Sequence, residues 1–512
     1  MIADLLITGG QVIDGTGATA YQASVAVAGD RIVAIGSLDG VRAARTYDAS
    51  GLVVCPGFVD IHTHSDLSLL SNPGALSKIR QGVTTEVIGN CGLGVTPLPS
   101  TVDIAALRTA VGYLDLDPAI DWTWPDLAGY LDVLRKARPV VNVVPLAAHI
   151  PLRAATVGFD ERPATAEELE RMCALLEAEF DAGAVGLSTG LVYAPAAYAD
   201  DDELAALGRV VASRDGLFSW HMRDYADELL DSVAQAVRIG RLTGCRTQLS
   251  HLVAVGQRNW GSVQQALELI DEARRDGVDV AVDVYPYTAG NASLFQLIPG
   301  WAQRGGGERM LARLRDPAVR ERIRAESASA PVGWDEITVN SVGGDGSGVV
   351  GRTIADLAGQ RDGAEVVMDL LLEHENAVTM VAGGRSENDV LAALSHPATV
   401  IGSDGFALDP DGPTGRGMPH PRSYGCYPRL LGRYAGKIGL VEAIAKCTSR
   451  PAARVGLTDR GRIATGWLAD LVVFDQEQVC DQATFQDPQR FPVGIRLVVA
   501  NGEIVVDETG GA

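Results

Sequence analysis

Phe58-Val59-Asp60-Ile61-His62-Thr63-His64 is a short apolar run that closes on two histidines. On a strand, residues one apart project to the same face, so His62 and His64 stand side by side. Two adjacent imidazoles make half of a tetrahedral metal site. A lone His-x-His pair is a weak signal, but here the pattern around it repeats. TTEVIGN (84–90), VNVVPLAAH (141–149), AVGLSTG (184–190), LFSWHM (217–222), RTQLSH (246–251), DVAVDVYP (279–286) and ATVIGSD (398–404) are further short apolar runs. Amphipathic stretches such as AEELERMCALLEAEFDAG (166–183) and SVQQALELIDEARRDG (262–277) lie between them. Eight strand–helix units are what a (β/α)8 barrel of the TIM type requires. The open doubly wound sheet is the alternative, but no Gly-x-Gly-x-x-Gly turn follows the first run, which weakens its dinucleotide-binding form.

Outward from this middle, both ends of the chain read differently. ADLLITGGQVIDG (3–15), ASVAVAGDRIVAIG (23–36) and GLVVCPG (51–57) at one end, and GWLADLVVFD (466–475) and GIRLVVANGEIVVDE (494–508) at the other, alternate apolar runs with turn residues. Asn501-Gly502 between two Val-rich runs is a strong hairpin signal. The expectation is an α/β chain: a small β-sandwich domain built from residues 1–56 and 461–512, and a barrel over 57–460. The gap between the seventh and eighth runs, about 290–396, is too long for one crossover helix. It reads as an insertion over the barrel mouth, a lid, with one helix expected in RMLARLRDPAVRERIRAESAS (309–329) and a Gly-rich stretch in SVGGDGSGVVGR (341–352).

The chain has 512 residues, 46% of them hydrophobic, enough for a large buried core. Its formal net charge of -22 repels nucleic-acid phosphates and anionic lipid headgroups, so neither is an expected partner. Seven cysteines without tandem spacing argue against a disulfide framework and fit a reducing compartment. The N-terminal stretch lacks a basic n-region and a long apolar core, and no run is long enough to cross a bilayer. A cytoplasmic protein acting on a small molecule is the expectation, and the oligomeric state is left open.

Four of the eight histidines, His62, His64, His221 and His251, end predicted barrel strands. Barrel active sites form at that end, from several strands at once. Cys91 ends the second run, and thiolate with imidazole suits zinc; the plain alternative is a small buried thiol. Asp404 ends the eighth run, where a carboxylate can orient and deprotonate a water at a metal; the plain alternative is a turn aspartate before Gly405. His149 reads as a supporting or core histidine, and His374, His396 and His420 lie away from the strand ends.

These residues bring the chain to a resemblance. PGFVDIHTHSD (56–66), RQGVTTEVIGNCG (80–92), GLSTGLVYAP (186–195), WHMR (220–223), QLSHL (248–252), DVYPYTAG (283–290), IGSDG (401–405), HPRSYGCYPRLLGRYA (420–435) and DQATFQDPQRFPVGI (481–495) resemble segments of the amidohydrolase superfamily. Within it they are similar to the N-acyl-D-amino-acid deacylases, or D-aminoacylases, nearly end to end. The resemblance implies zinc-dependent hydrolysis of the amide bond of N-acyl-D-amino acids. It implies a tightly bound zinc on Cys91, His221 and His251, with a weaker second site on His62, His64 and Cys91. Asp404 is implied as metal ligand and as general base, then acid, and Tyr193 as the group that polarises the amide oxygen. Tyr287, Ser293 and Arg422 match positions that bind the substrate carboxylate. Val253 departs from the pattern, because the family usually has a lysine two residues after the sixth-strand histidine. The absent charge-assisted contact is worth about 1.5–3 kcal/mol. That departure keeps open an amidohydrolase acting on a cyclic amide or another C–N substrate without an α-carboxylate. A non-catalytic ligand-binding barrel is the alternative from another class, against which the full set of candidate ligands argues.

Overall fold

The structure, a computed structural model, describes residues 2–344 and 346–508. Its centre is a closed ring of parallel strands. In chain order these are Phe58–Asp60, Val83–Ile88, Asn142–Pro145 continued by Ala147–Ala148, Gly186–Gly190, Leu217–His221, Arg246–Leu249, Val280–Val284 and Thr399–Ile401. Each pairs in parallel with its sequence neighbour. The first and eighth close the ring at their C-terminal ends: Asp404 N donates to His62 O at 2.8 Å, and His64 N donates to Gly405 O at 2.9 Å. The strands are buried along almost their whole length, as strands covered on both faces must be. This is the (β/α)8 barrel expected from the eight runs.

Helices on the outer face follow the amphipathic stretches. Ala166–Asp181 starts on a capping box, with the Thr165 side chain and Glu168 satisfying each other's backbone N–H. Ser262–Arg275 buries Val263, Ala266, Leu267 and Ile270 on one stripe against the barrel. Beneath the mouth, the Lys78 ammonium is wholly buried, 2.8 Å from both Asp60 Oδ2 and Ser403 Oγ, and ties the first strand to the eighth.

Both chain ends join one eight-stranded sheet. It carries Ile2–Val12, Tyr21–Ala28, Arg31–Gly36, Arg42–Asp48 and Val53–Pro56 from one end, and Leu471–Phe474, Ile495–Ala500 and Glu503–Asp507 from the other. Val53–Pro56 pairs antiparallel with Leu471–Phe474, so the seam between the two ends lies inside the sheet. Leu5, Val25, Tyr47, Val54, Val473 and Leu497 share one core there. Asn501 and Gly502 both have positive φ, 50° and 82°, the two-residue hairpin turn their sequence signalled.

Between the seventh and eighth barrel strands the chain builds its own small layer. Gly290–Ser293, Val378–Ala382 and Ile337–Val342 form an antiparallel sheet packed on helices, with a separate core that includes Leu294, Met310, Ile323, Val339 and Leu371. The single helix expected over 309–329 is two, Gly307–Arg313 and Pro317–Ser327. Pro317 has no N–H to continue the first helix, and it begins the second behind the Asp316 cap. The last helix of the expected insertion, Glu387–Ser395, packs against Ser262–Arg275 and the eighth strand, as a barrel helix does.

Candidate metal centre

The barrel brings six donor side chains together at its C-terminal mouth. His62, His64, Cys91 and Asp404 place one ligand atom each within 4.8 Å of one another, and so do Cys91, His221 and His251. Cys91 is common to both groups. Its Sγ lies 3.2 Å from His62 Nε2 and 3.6 Å from His251 Nε2, and His251 Nε2 is 3.1 Å from His221 Nδ1. Asp404 Oδ1 stands 2.9 Å from His64 Nε2 and 3.5 Å from His62 Nε2.

The local backbone is bent to achieve this. Cys91, His251 and Asp404 all have positive φ, at 57°, 36° and 52°, which non-glycine residues adopt rarely and at a cost. Three strand-end residues in that state, all pointing into one cluster, mark a place where the fold holds strain to aim side chains. The turn carrying Cys91 lies so close to the fourth strand that a Cβ on Gly190 would sit 2.0 Å from Cys91 O, so that strand end must be glycine.

Burial shapes the charges. It pushes the Cys91 thiol up to about 11, against the pull of His62, and lowers His64 to about 4 and His221 to about 3. His64, His221 and His251 are therefore neutral at pH 7, the form that ligates metal, whereas burial at His62 is outweighed by Cys91, Asp283 and Asp404, which raise it, so that ring gives up a proton on ligation. Burial also acts to raise Asp404, but the Arg422 guanidinium, the His62 ring and the His64 hydrogen bond outweigh it and hold the carboxyl well below its usual range. Arg422 Nη1 is 2.7 Å from Asp404 Oδ2. Soft sulfur, neutral imidazole and one carboxylate are the donor chemistry of zinc. The residues present fit that metal.

A cavity of about 260 Å³ opens over the cluster. Tyr193 lines it, with its hydroxyl accepting from Gln296 Nε2 of the insertion at 2.8 Å and its ring 5.0 Å from that of His221. Val253 lines it as well, and so do insertion residues such as Leu297, Val332 and Met380, which close the mouth. Arg422 lies behind Asp404 rather than in the cavity wall, 3.1 Å from Tyr113 Oη. Tyr287 and Ser293 do not line this cavity. Tyr287 N donates to Tyr285 O at 2.9 Å, a tight three-residue turn that sends the Tyr287 ring away, beneath Arg429, and leaves Tyr285 facing the cluster. Ser293, two residues farther along its strand than the cavity-lining Asn291, opens on a neighbouring cavity with Arg108 and Gly417. His149 is buried between Thr189 and Glu203, at 2.9 Å and 2.8 Å, apart from the metal donors.

Sequence reasoning missed Asp283. Its Oδ1 is 3.0 Å from His62 Nδ1 and accepts from His251 N at 2.8 Å. A carboxylate on the far nitrogen of a ligating histidine sets the tautomer and the ring orientation. The signal was available, since Asp283 is the one charged residue within the buried strand Val280–Val284. Tyr113, Tyr225, Tyr285 and Arg385 also line the cavity, and three of these four lie on connecting segments that strand periodicity does not reach.

A closed barrel with this shared-cysteine cluster and a buried aspartate at its mouth defines a metal-dependent hydrolase. The comparisons with known proteins agree. The chain belongs to the amidohydrolase family, whose model matches residues 45–506. It is 37% identical over 502 residues to an N-acyl-D-glutamate deacylase of Alcaligenes xylosoxydans xylosoxydans, covering 98% of this chain and 93% of the relative. A D-aminoacylase of the same organism is 36% identical over 508 residues, covering 99% and 95%. Among solved structures, the N-acyl-D-glutamate deacylase of Bordetella bronchiseptica, complexed with zinc and a phosphonate mimic of the tetrahedral intermediate, is similar at a TM-score of 0.84. That likeness carries 35% identity and covers 99% of this chain and 97% of the other.

Proposed function

We propose that this chain hydrolyses the amide bond of N-acyl-D-amino acids, releasing a carboxylate and the free amino acid. The observation that carries the reading is Asp404: an ionised carboxylate held between His64 and Arg422, at the metal cluster and open to the cavity. Cys91, His221 and His251 would hold the tighter zinc, and His62, His64 and Asp404, sharing Cys91, a second and weaker one. When bound, zinc supplies a lowered pKa for water and polarises the carbonyl.

Asp404, held ionised by Arg422, the His62 ring and the His64 hydrogen bond, is the group placed to take a proton from the attacking water. It takes one proton as the oxygen attacks the acyl carbon. Tyr193, whose phenol burial keeps well above its usual pKa, stays protonated and donates to the carbonyl oxygen as negative charge gathers there. Asp404 then passes its proton to the departing nitrogen as the C–N bond breaks, and the base is regenerated. Asp283 keeps the His62 ring in place throughout.

The test is a turnover screen of zinc-loaded protein on N-acetyl-D-amino acids, N-acetyl-L-amino acids, carboxylate-free N-acyl amines and cyclic imides. Turnover of the D-series in preference to the others is the expected result. Activity confined to carboxylate-free amides or cyclic imides refutes the assignment. No helix among the described residues is long and apolar enough to cross a membrane.

A further inference from the structure

The cavity over the metal cluster has an uneven distribution of charge. Of the arginines that line it, Arg223 spends its guanidinium on Ala197 O, Ala199 O and Gln235, at 3.0, 2.5 and 3.1 Å. Arg422, behind the wall, is paired with Asp404. Arg385 differs. Its Nη1 meets only neutral oxygens, Tyr285 Oη at 2.5 Å and Ala289 O at 3.1 Å. Its Nε is buried without a hydrogen-bond partner, and among the described residues no carboxylate pairs with it. Room for the head is built in: a Cβ at Gly290 would sit 2.0 Å from Arg385 Nη2. The guanidinium also lies over the Tyr285 ring, 5.3 Å from its centroid. A partly buried, preorganised cation with spare donors, in a cavity that ends on a metal cluster, has the chemistry of a carboxylate receptor.

The remaining wall is largely apolar, with Asn291, Gln296 and Asp224 as polar members that offer no positive charge. Val253, Val255, Leu297, Val332 and Met380 line it, and no second uncommitted cation faces them among the described residues. We infer that Arg385, assisted by the Tyr285 hydroxyl, anchors the α-carboxylate of the substrate, and that the Val253 wall selects N-acyl amino acids with hydrophobic side chains over acidic ones. This rests on the amide-hydrolase reading above and names its substrate class. A side-chain carboxylate placed against Val253 and Met380 would be desolvated without a partner, which disfavours it strongly. The selectivity therefore differs from that in the name of the N-acyl-D-glutamate deacylase that is 37% identical.

Steady-state kinetics of the zinc-loaded full chain on N-acetyl-D-leucine, N-acetyl-D-glutamate and N-acetyl-D-leucinamide test it. The wild type is expected to favour leucine over glutamate in kcat/KM by about a hundredfold or more. Arg385→Met is expected to raise KM for N-acetyl-D-leucine about tenfold to a hundredfold with kcat little changed, and to leave leucinamide unaffected. Arg385→Lys keeps the charge, so its KM rises less, and it serves if the methionine variant folds poorly. Val253→Lys in the Arg385→Met background returns a cation from the neighbouring segment, whose Gly256 N donates to Gly384 O at 2.8 Å, and is expected to recover part of the lost affinity. Zinc content and melting temperature of each variant check the fold. An unchanged KM for N-acetyl-D-leucine in both Arg385 variants, an equal loss for leucinamide, or glutamate turned over as well as leucine overturns the inference while the hydrolase reading stands. A wild type active only on amides without a carboxylate overturns both.

Discussion

Replacing Asp404 with asparagine keeps the shape of the side chain and removes its charge and its capacity to carry a proton. Loss of a positioned general base costs about 10²–10⁴ in rate, or about 2.7–5.4 kcal/mol at 1.36 kcal/mol per decade. The structure adds a second consequence. One carboxylate oxygen is 2.9 Å from His64 Nε2 and the other 2.7 Å from Arg422 Nη1, so an amide nitrogen must face one of two donors. Arg422, 1% exposed, is left without a counter-charge, at a cost of about 3–5 kcal/mol in stability for a broken buried pair. The assay must keep the two effects apart. Asp404→Asn is compared with Asp404→Asn/Arg422→Met by kcat, by zinc content and by urea denaturation. The expected outcome is a deep loss of kcat in both variants, one zinc retained on Cys91, His221 and His251, and stability partly recovered in the double variant. Retained turnover within tenfold of wild type, with zinc bound, refutes the base assignment. Recovery of kcat along with stability in the double variant refutes it equally, because activity would then have followed folding.

Three further outcomes follow from the same geometry. Uptake of the first equivalent of zinc, on Cys91, His221 and His251, by metal-free protein should release about one proton between pH 6 and 9, because the Cys91 thiol, with its pKa at about 11, ionises on ligation while His221, at about 3, is already neutral; affinity then rises about tenfold per pH unit, and calorimetry in buffers of different ionisation enthalpy showing no proton release would contradict it. Tyr193→Phe should lower kcat by about 10²–10³ with KM little changed, the usual consequence of losing one oxyanion donor, and an equal fall in binding of a non-hydrolysable substrate analogue would instead make the tyrosine a positioning group. Lys78→Met should destabilise the fold by about 3–5 kcal/mol by stranding the Asp60 carboxylate; an unaltered denaturation midpoint would show that the buried ammonium is dispensable.

Much of the site was legible because parallel barrel strands are apolar along their length, so a polar residue at a strand end stands out. His62, His64, His221, His251 and Asp404 all stand where such a run stops, and Cys91 sits in the turn just beyond one. The hairpin at Asn501-Gly502 and the helices at 166–181 and 262–275 were legible for a similar reason, since each is set by local chemistry. What could not be read is what tertiary contact decides. The Tyr285–Tyr287 choice turned on one N–H to O bond between them, which reverses the alternation that strand periodicity assumes.

Arg385 is the sharper case. It lies outside every strand, 134 residues beyond His251 in the chain, where sequence spacing says nothing of distance to the metal. The pairing of Gly290–Ser293 with Val378–Ala382, which hangs the insertion over the barrel mouth, and the Gly256 N to Gly384 O bond carry the following Gly383-Gly384-Arg385 back to Tyr285. Val253 looked, in the sequence, like a missing charge. In the folded chain the same cavity that lacks a cation at Val253 holds one at Arg385, on a segment joined to the loop after Val253 by the Gly256 N to Gly384 O hydrogen bond of 2.8 Å. A cation supplied by that neighbouring segment can anchor a bound carboxylate and leave the Val253 side chain to face an apolar group. The departure at Val253 is therefore better understood as a change in which segment supplies the cation than as the loss of carboxylate recognition.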